Sequence, residues 1–395
     1  MKLATIVNGE RDGTLVVVSP DGLRYLATDN VSTMQQAVEH WSDCQTDLRD
    51  LHERLSQGEG KAVSSVRFAA PLPRAWQWLD GSAYDTHGDL MQRAFKLDPI
   101  EHDKPLMYQG MSHIFYGPTE DITFPDEKDG IDFEGEFGVI VDDVPMGVSA
   151  DDAVQHIKLL VQINDWSLRT IAPKEMKTGF GWIQAKPACS VAPFAVTPDE
   201  LGDEWADGRV QLNLRIEWNG ELFGNAHGGD MSVGFHDLVA HAAATRDLCA
   251  GTIIGSGTVS NANYREVGSS CISERRAIEM VDGGEPRTPF MSFDDSVFME
   301  ARTSKGDVLF GAIDQRVVFH DLVAHAAATR DLCAGTIIGS GTVSNANYRE
   351  VGSSCISERR ALDMVYGVDP RTPFMSFDDS VFMEARTSKG DVLFG

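Results

Sequence analysis

Two acidic side chains one residue apart, Glu134 and Glu136, are the residues of this sequence best placed to do chemistry. They lie in the run IDFEGEFGVIV, whose alternation predicts a β-strand with both carboxylates on one face and Cα atoms about 7 Å apart. The opposite face carries Phe133, Phe137, Val139 and Val141 and is expected to face the core. Two adjacent anions repel unless they share a cation, and carboxylates are the ligands that Mg²⁺ and Ca²⁺ prefer. The alternative is the hydrated face of an edge strand.

One further acid and two cations follow along the chain. Asp165 comes after the apolar strand KLLVQI, where it could complete a site with a neighbouring strand or could cap a helix. Lys186, in GFGWIQAKPA, is either a surface lysine or a cation placed to meet an anion. Arg169 lies four residues beyond Asp165 and could pair with it across a helical turn.

The elements that must position these residues form a β-rich α+β pattern. Three strands are predicted near the N-terminus, in KLATIV, TLVVVS and LRYLAT, and a helix through about Ser56 follows. The run APLPRAWQWLDGSAYDTHGDLMQRAF is then expected to be an aromatic-rich extended segment that leads into a helix. From Ile131 onward strand patterns dominate, and helices are expected only at about 150–160 and 235–249. The pattern lacks the βαβ alternation of a doubly wound parallel sheet.

Composition narrows the functional classes. The 395 residues carry a formal net charge of −26, which argues against nucleic acid or an anionic membrane as a partner. No apolar run approaches the ~20 residues of a membrane helix, and no signal peptide is recognisable at the N-terminus. The six cysteines show no metal-like or paired spacing, so free thiols and a cytoplasmic location are expected.

A long segment of the sequence occurs twice. Residues 235–311 recur as 319–395, and only five of the 77 positions differ. A solenoid repeat would be shorter, more numerous and more divergent. The copy begins at a helical pattern and does not include the glutamate pair. Residues 319–395 are therefore interpreted as a near-identical partial repeat, and one site per chain is expected.

Five motifs in order, IDFEGEFGVIVDDVP, NDWSLR, GFGWIQAKP, FGNA and GTIIGSGTVSN, resemble those of the fumarylacetoacetate hydrolase superfamily. The resemblance extends from about Leu72 to Val318, and the first 70 residues resemble more loosely the small leading domain of bacterial members. It implies a mixed β-roll or barrel over 71–318, preceded by a small α+β domain over 1–70.

The resemblance also implies roles for individual residues. It implies metal ligation, by Mg²⁺ or alternatively Mn²⁺ or Ca²⁺, for Asp80, Glu134, Glu136 and Asp165. It implies catalysis by His87 as the base, by Glu274 as its partner and by Lys186. It implies substrate contacts for Arg169, Thr258 and Tyr108.

The resemblance implies hydrolysis of a C–C bond in a 1,3-diketone or acylpyruvate acid. It also implies a homodimer and a role in aromatic catabolism. The metal would polarise a carbonyl, His87 with Glu274 would activate water, and Lys186 with Arg169 would stabilise the enolate. Two alternatives remain. One is a lyase of the same superfamily that decarboxylates or hydrates 2-oxo acids. The other is a non-functional rearranged product.

Departures from the family pattern bear on the substrate. Ala172 and Ser82 replace a glutamine and a tyrosine of true fumarylacetoacetases, which places fumarylacetoacetate itself in doubt. In the smaller acylpyruvase members a glutamate three residues after the histidine completes the dyad. This chain has Leu90 there, with Asp89 beside it, so Glu274 is favoured as the partner of His87.

The repeat offers a second candidate for that partner, because Thr258 and Glu274 have twins in Thr342 and Glu358. Docking the second copy would require residues 235–318 to loop out, at a cost of roughly 4 kcal/mol. The first copy is also followed by AIDQRVV, which resembles the closing strand of the family. The first copy is therefore predicted to complete the site, unless two subunits exchange segments.

Overall fold

The computed structural model describes residues 1–96, 104–303, 305–319, 353–365, 369, 371–376, 379–383, 385–386 and 392–394. The chain forms two compact units, Met1–Leu332 and Cys333–Gly395. Within the described residues no helix is long and apolar enough to cross a membrane.

Most of the secondary structure is β-strand. The described strands are β1 Lys2–Ile6, β2 Thr14–Val18, β3 Arg24–Ala27, β4 Lys61–Ala62, β5 Trp78–Gly81, β6 Met107–Gly110, β7 Ile122–Phe124, β8 Ile131–Asp132, β9 Gly135–Val141, β10 Ile157–Asn164, β11 Ser167–Leu168, β12 Ser190–Val191, β13 Ala195–Val196, β14 Trp205–Ala206, β15 Arg209–Val210, β16 Asn213–Trp218, β17 Glu221–His227, β18 Thr252–Gly255, β19 Ser296–Arg302, β20 Val308–Phe319, β21 Ala385–Arg386 and β22 Val392–Phe394. The described helices are α1 Met34–Glu39, α2 Trp41–Ser56, α3 Asp85–Phe95, α4 Ala150–Ala153, α5 Ala172–Met176, α6 Pro198–Leu201, α7 Phe235–Ala242, α8 Tyr264–Val267, α9 Ile272–Val281 and α10 Ile356–Val365.

An 11-stranded mixed sheet organises the first unit. Its order is β4-β3-β2-β1-β13-β10-β9-β18-β5-β6, with β12 paired to β10. Strand β1 pairs antiparallel with β13 through Lys2 and Val196. Residues 1–70, which the sequence suggests as a small separate domain, therefore share this sheet with the strands that follow. The β-rich α+β class expected from the sequence is confirmed.

Strand β9 lies in the interior of this sheet, between β10 and β18. A second sheet, of order β17-β16-β19-β20-β7, contributes to the same core. Phe137 of β9 packs against Phe310 of β20 with ring centroids 5.9 Å apart. Every residue from Ile131 to Val141 is buried, so the hydrated edge-strand alternative for the glutamate pair is wrong.

The structure confirms some of the predicted helices and strands and contradicts others. The three N-terminal strands are confirmed as β1, β2 and β3. The helix predicted through Ser56 is two helices, because the backbone of His40 leaves the helical region at φ −118° and ψ 37°. Residues 157–164 form strand β10, and α9 was not predicted at all. Since α9 is only 10 residues long, tertiary contacts rather than intrinsic propensity must stabilise it.

The second unit repeats local structure of the first. Helix α10 is the counterpart of α9, and the pairing of β21 with β22 corresponds to part of the β19–β20 hairpin. Arg360 donates to the carbonyl of Thr372 at 2.6 Å, just as Arg276 donates to that of Thr288. The segment therefore specifies much of its local structure by itself.

Candidate active site

Adjacent strand ends bring the predicted site residues together. Strand β9 begins beside the end of β10, where Gly135 pairs with Asn164. Strand β18 ends beside β5, where Gly255 pairs with Asp80, and Asp80 in turn pairs with Tyr108 of β6. The residues at this edge of the sheet are therefore fixed by sheet register.

Three of the predicted metal ligands converge. Asp80, Glu136 and Asp165 are buried, and each offers a carboxylate oxygen within 4.8 Å of the others. Among the described residues neither oxygen of Glu136 has a hydrogen-bond partner. Burial and the neighbouring charge of Asp165 raise the pKa of Asp80, and burial with the charges of Asp80 and Asp165 raises that of Glu136. Buried, unpartnered carboxylates of this kind fit a divalent cation, which would supply the missing countercharge.

The fourth predicted ligand, Glu134, lies outside this cluster and is engaged by cations. Its Oε2 accepts from Lys186 Nζ at 2.9 Å, and its Oε1 accepts from Arg169 and from Ser167 Oγ, the latter at 3.1 Å. Burial raises the pKa of Glu134, but the charges of Arg169 and Lys186 outweigh burial and bring it well below its usual value. In this structure Glu134 is the shared partner of the two cations.

Lys186 and Arg169 differ in what they contact. Lys186 also donates to Asp165 Oδ2 at 2.6 Å, whereas Arg169 Nε donates to Asp132 Oδ2 at 2.8 Å. Arg169 therefore pairs with Asp132 and Glu134, whereas Lys186 pairs with Glu134 and Asp165. Burial lowers the pKa of Lys186, but Asp165 and Glu134 outweigh it and raise the pKa above its usual value, so the amine stays protonated.

Two uncharged donors hold Asp165 in addition to Lys186. Tyr108 donates its hydroxyl to Asp165 Oδ2 at 2.5 Å, and the Cys189 thiol donates to Oδ1 at 3.0 Å. Burial and the charge of Asp165 raise the pKa of both groups, which keeps them as donors. Tyr108 also packs edge-on against Trp182 with centroids 4.7 Å apart. The expected substrate residue Tyr108 is thus also a support of the acidic cluster.

The predicted catalytic dyad is formed. His87 Nδ1 lies 2.7 Å from Glu274 Oε2, and the glutamate is fully buried while the ring is 19% exposed. Helix α3 carries His87 and packs on α9, which carries Glu274, through a hydrophobic cluster of Leu90, Ala94, Tyr264, Ala277 and Ile278. Leu90 is one of these core residues, so its position cannot supply the alternative acid. The twin Glu358 belongs to the second unit.

Thr258 lies just beyond β18, in a loop tied to the acidic cluster. The backbone N–H of Gly257 donates to Asp80 Oδ1 at 3.0 Å. Gly257 has φ +78°, a left-handed conformation that a side chain would strain. Thr258 is buried, three residues beyond the end of β18. This placement is compatible with the expected substrate contact, which stays a prediction.

Sequence reasoning missed three members of the site. Asp132, Cys189 and Trp182 contact Arg169, Asp165 and Tyr108, respectively. Asp132 shares the face of Glu134 and Glu136 in the alternation of the run, which is the one signal that could have identified it. Cys189 and Trp182 lie in loops whose neighbours in space are not evident from spacing.

Comparison with protein families agrees with the fold. Residues 77–318 match the model described as fumarylacetoacetate (FAA) hydrolase C-terminal. Residues 1–74 match fumarylacetoacetase N-terminal domain 2. Since the first match alone spans more than half of the chain, the protein belongs to the fumarylacetoacetate hydrolase superfamily.

Individual relatives are distant. A 2,4-didehydro-3-deoxy-L-rhamnonate hydrolase of Sphingomonas sp. is 26% identical over 158 residues, 39% of this chain and 53% of that protein. A mitochondrial oxaloacetate tautomerase of Xenopus laevis is 25% identical over 158 residues, 39% of this chain and 47% of that protein. The chain thus aligns with about half the length of these relatives. Members of the superfamily include hydrolases, isomerases and tautomerases.

Solved structures share the fold. The maleylpyruvate hydrolase of Sphingobium sp., in complex with manganese and pyruvate, superposes with a TM-score of 0.56 at 16% identity. The match covers 81% of this chain and 99% of that one. At this identity the likeness establishes the fold.

Proposed function

We propose that the protein is a divalent-metal-dependent hydrolase that cleaves a C–C bond in a 1,3-dicarbonyl acid of the acylpyruvate class. The observation that carries the proposal is the acidic cluster, because Glu136 lies fully buried with neither oxygen partnered among the described residues. Leaving such a carboxylate without a counterion is costly, and a cation that also binds a substrate would remove that cost.

The residues that would hold the cation are Asp80, Glu136 and Asp165, and their hard oxygen donors suit Mg²⁺ or Mn²⁺. A cation bound there supplies Lewis acidity to a carbonyl oxygen and positive charge to a developing enolate. Tyr108, Lys186 and Cys189 fix the orientation of Asp165 through their hydrogen bonds.

His87 is the proposed base. With Nδ1–H donated to Glu274 Oε2, Nε2 is left to accept a proton from water. The resulting hydroxide adds to a carbonyl carbon of the substrate. The adjacent C–C bond then breaks, and its electron pair remains on the leaving fragment as an enolate. His87 returns the proton to the carbon of that enolate, which completes one turnover with a carboxylic acid and a 2-oxo acid as products.

Lys186 supplies a fixed positive charge beside this chemistry. Its amine is protonated and buried, and it is shared by Glu134 and Asp165. A fixed cation in a poorly solvated site stabilises developing negative charge without reorganisation at the moment of reaction. Arg169, paired with Asp132 and Glu134, acts here as support for Glu134.

A second candidate is proton transfer or decarboxylation of a 2-oxo acid without an attacking water. The similarity to a protein named oxaloacetate tautomerase favours it, since the His87–Glu274 pair could move a proton at carbon equally well. The three reactions differ in their products. Hydrolysis yields two acids, decarboxylation yields CO₂, and tautomerisation changes neither mass nor carbon count.

A Mg²⁺- or Mn²⁺-dependent assay over acylpyruvates, fumarylacetoacetate and oxaloacetate, with products identified by mass, tests the proposal. Glu136→Ala and His87→Ala should each lose activity. His156→Ala is a matched control. His156 Nδ1 also lies 2.7 Å from a carboxylate oxygen, that of Asp142, but neither residue is part of the candidate active site. A rate that survives chelation and Glu136→Ala would refute the metal-dependent mechanism.

A further inference from the structure

The start of helix α9 is held by a carboxylate far away in sequence. Asp132 Oδ1 accepts from the backbone N–H of Ile272 at 2.7 Å, and Oδ2 accepts from that of Ser273 at 2.9 Å. Asp132 is fully buried. The first N–H groups of a helix have no partner within the helix, and its positive end favours a carboxylate. Asp132 therefore fixes the beginning of the helix that presents Glu274.

The repeat provides the same helix in a second setting. Helix α10, ISERRALDMV, differs from α9, ISERRAIEMV, at two of ten positions. Both helices begin in the same way, because the cysteine before each accepts from the backbone N–H of the glutamate, at 3.2 Å for Cys271 and 3.3 Å for Cys355. The helix and its cysteine cap therefore occur in both units, with the same local sequence.

The glutamate side chain differs between the two settings. In α10, Glu358 folds back, and its Oε2 accepts from the backbone N–H of Ser354 at 3.3 Å. In α9, Glu274 extends instead to His87 Nδ1 at 2.7 Å. The sequence GSSCISERRA is identical around both glutamates, so the difference arises from tertiary surroundings.

We infer that Asp132 is a positioning residue that directs Glu274 toward His87 by occupying the start of α9. Its negative charge beside the first N–H groups repels a second carboxylate from the position that Glu358 adopts in α10. Arg169 connects this cap to the active site, because it donates to both Asp132 and Glu134. Asp132 contacts neither His87 nor the acidic cluster in the described hydrogen bonds, and it acts on the base through α9. The inference rests on the proposed role of His87 and Glu274.

The test compares Asp132→Ala and Asp132→Asn with the full-length protein. Asp132→Ala should lower kcat about 10- to 100-fold while KM changes less than about threefold, since a misdirected Glu274 impairs general-base catalysis rather than binding. Asp132→Asn keeps one oxygen acceptor and should retain more activity. Asp237→Ala is the matched control, because Asp237 Oδ2 accepts from Gly234 N–H at 2.9 Å at the start of α7, and its loss should leave kcat unchanged.

A spectroscopic measurement separates this inference from the proposed function. The ¹⁵N shifts of the His87 ring in Asp132→Ala should match those of Glu274→Ala and differ from those of the unmodified protein. Shifts like those of the unmodified protein, or a change in KM alone, would overturn the inference. If Asp132→Ala does not fold, Asp132→Asn replaces it, and its ring shifts should lie between those of Glu274→Ala and those of the unmodified protein. If no panel substrate reacts, the proposed function fails, whereas the ring shifts still report whether Asp132 directs Glu274.

Discussion

The amine of Lys186 donates to Glu134 at 2.9 Å, and this contact divides the predicted group of four acidic ligands in two. Glu134 serves as a counterion for Lys186 and Arg169, whereas Asp80, Glu136 and Asp165 converge. Together with Asp132 the site holds five buried carboxylates, and among the described residues their ion pairs are with Lys186 and Arg169. A divalent cation would remove most of the remaining excess of negative charge.

Lys186→Met is expected to destabilise the protein as well as inactivate it. Glu134 and Asp165 share the Lys186 amine, and the variant leaves both carboxylates buried without it. Breaking a buried ion pair costs about 3–5 kcal/mol of folding stability. Chemical denaturation measures the loss. Lys128→Met is the control, because Lys128 is 90% exposed and lies 3.7 Å from Asp126, so its change should be below about 1 kcal/mol. Equal losses in the two variants would contradict this account of the pair.

The stabilisation conferred by a metal should increase with pH. The pKa values of Asp80 and Glu136 are raised in the folded protein, chiefly by burial. A carboxyl with a raised pKa stabilises the folded state at low pH, and this contribution is lost as pH rises from about 4 through the folded-state value. The metal-free protein should therefore lose thermal stability toward pH 8. Thermal unfolding with Mg²⁺ or Mn²⁺ and with chelator, at pH 5 and pH 8, measures the difference, and binding should release protons.

Replacement of the unpartnered carboxylate tests the cause of that behaviour. Glu136→Gln removes one buried charge, so the metal-free variant should be more stable than the unmodified protein at pH 8 and should no longer respond to metal. Glu221→Gln, at an exposed position of β17, should leave both properties unchanged. A metal response that persists in Glu136→Gln would show that the cation binds elsewhere.

The sequence was sufficient to identify the family, the β-rich fold and the pairing of His87 with Glu274. It was not sufficient to assign different roles to Glu134 and Glu136, because strand alternation places both side chains on one face and does not show which groups each of them contacts. The separation depends on Lys186 and Arg169, which approach Glu134 from loops 52 and 35 residues away in sequence. Contacts of this range leave no local pattern.

Helix α9 was missed for a related reason. It has 10 residues and no side-chain cap of the usual serine, threonine or asparagine kind, since Cys271 occupies the cap position. Much of what fixes its start is Asp132, 140 residues earlier. Its apolar residues Ile272, Ala277 and Ile278 pack against other parts of the fold, which the sequence pattern alone does not reveal.

The two copies of the repeated segment should differ in function. Glu274→Ala removes the hydrogen-bond partner of His87 and should lower kcat about 100-fold or more. Glu358→Ala, the identical change in the second unit, should leave kcat unchanged and is therefore an exact sequence-matched control. The reverse result, or a loss that requires both substitutions, would indicate that the second copy completes the site, through exchange between subunits.

Removal of residues 320–395 should preserve activity and improve solution behaviour. Every residue of the candidate site lies before this segment, and β20 ends at Phe319. The second unit exposes large apolar side chains, with Phe382 82% and Met383 75% accessible, whereas Met299, the counterpart of Met383, is fully buried in the first unit. Such exposed groups favour association. The shortened protein should therefore show equal kcat and less aggregation by light scattering. A loss of activity on shortening, with the fold retained, would show that the repeat contributes to the site.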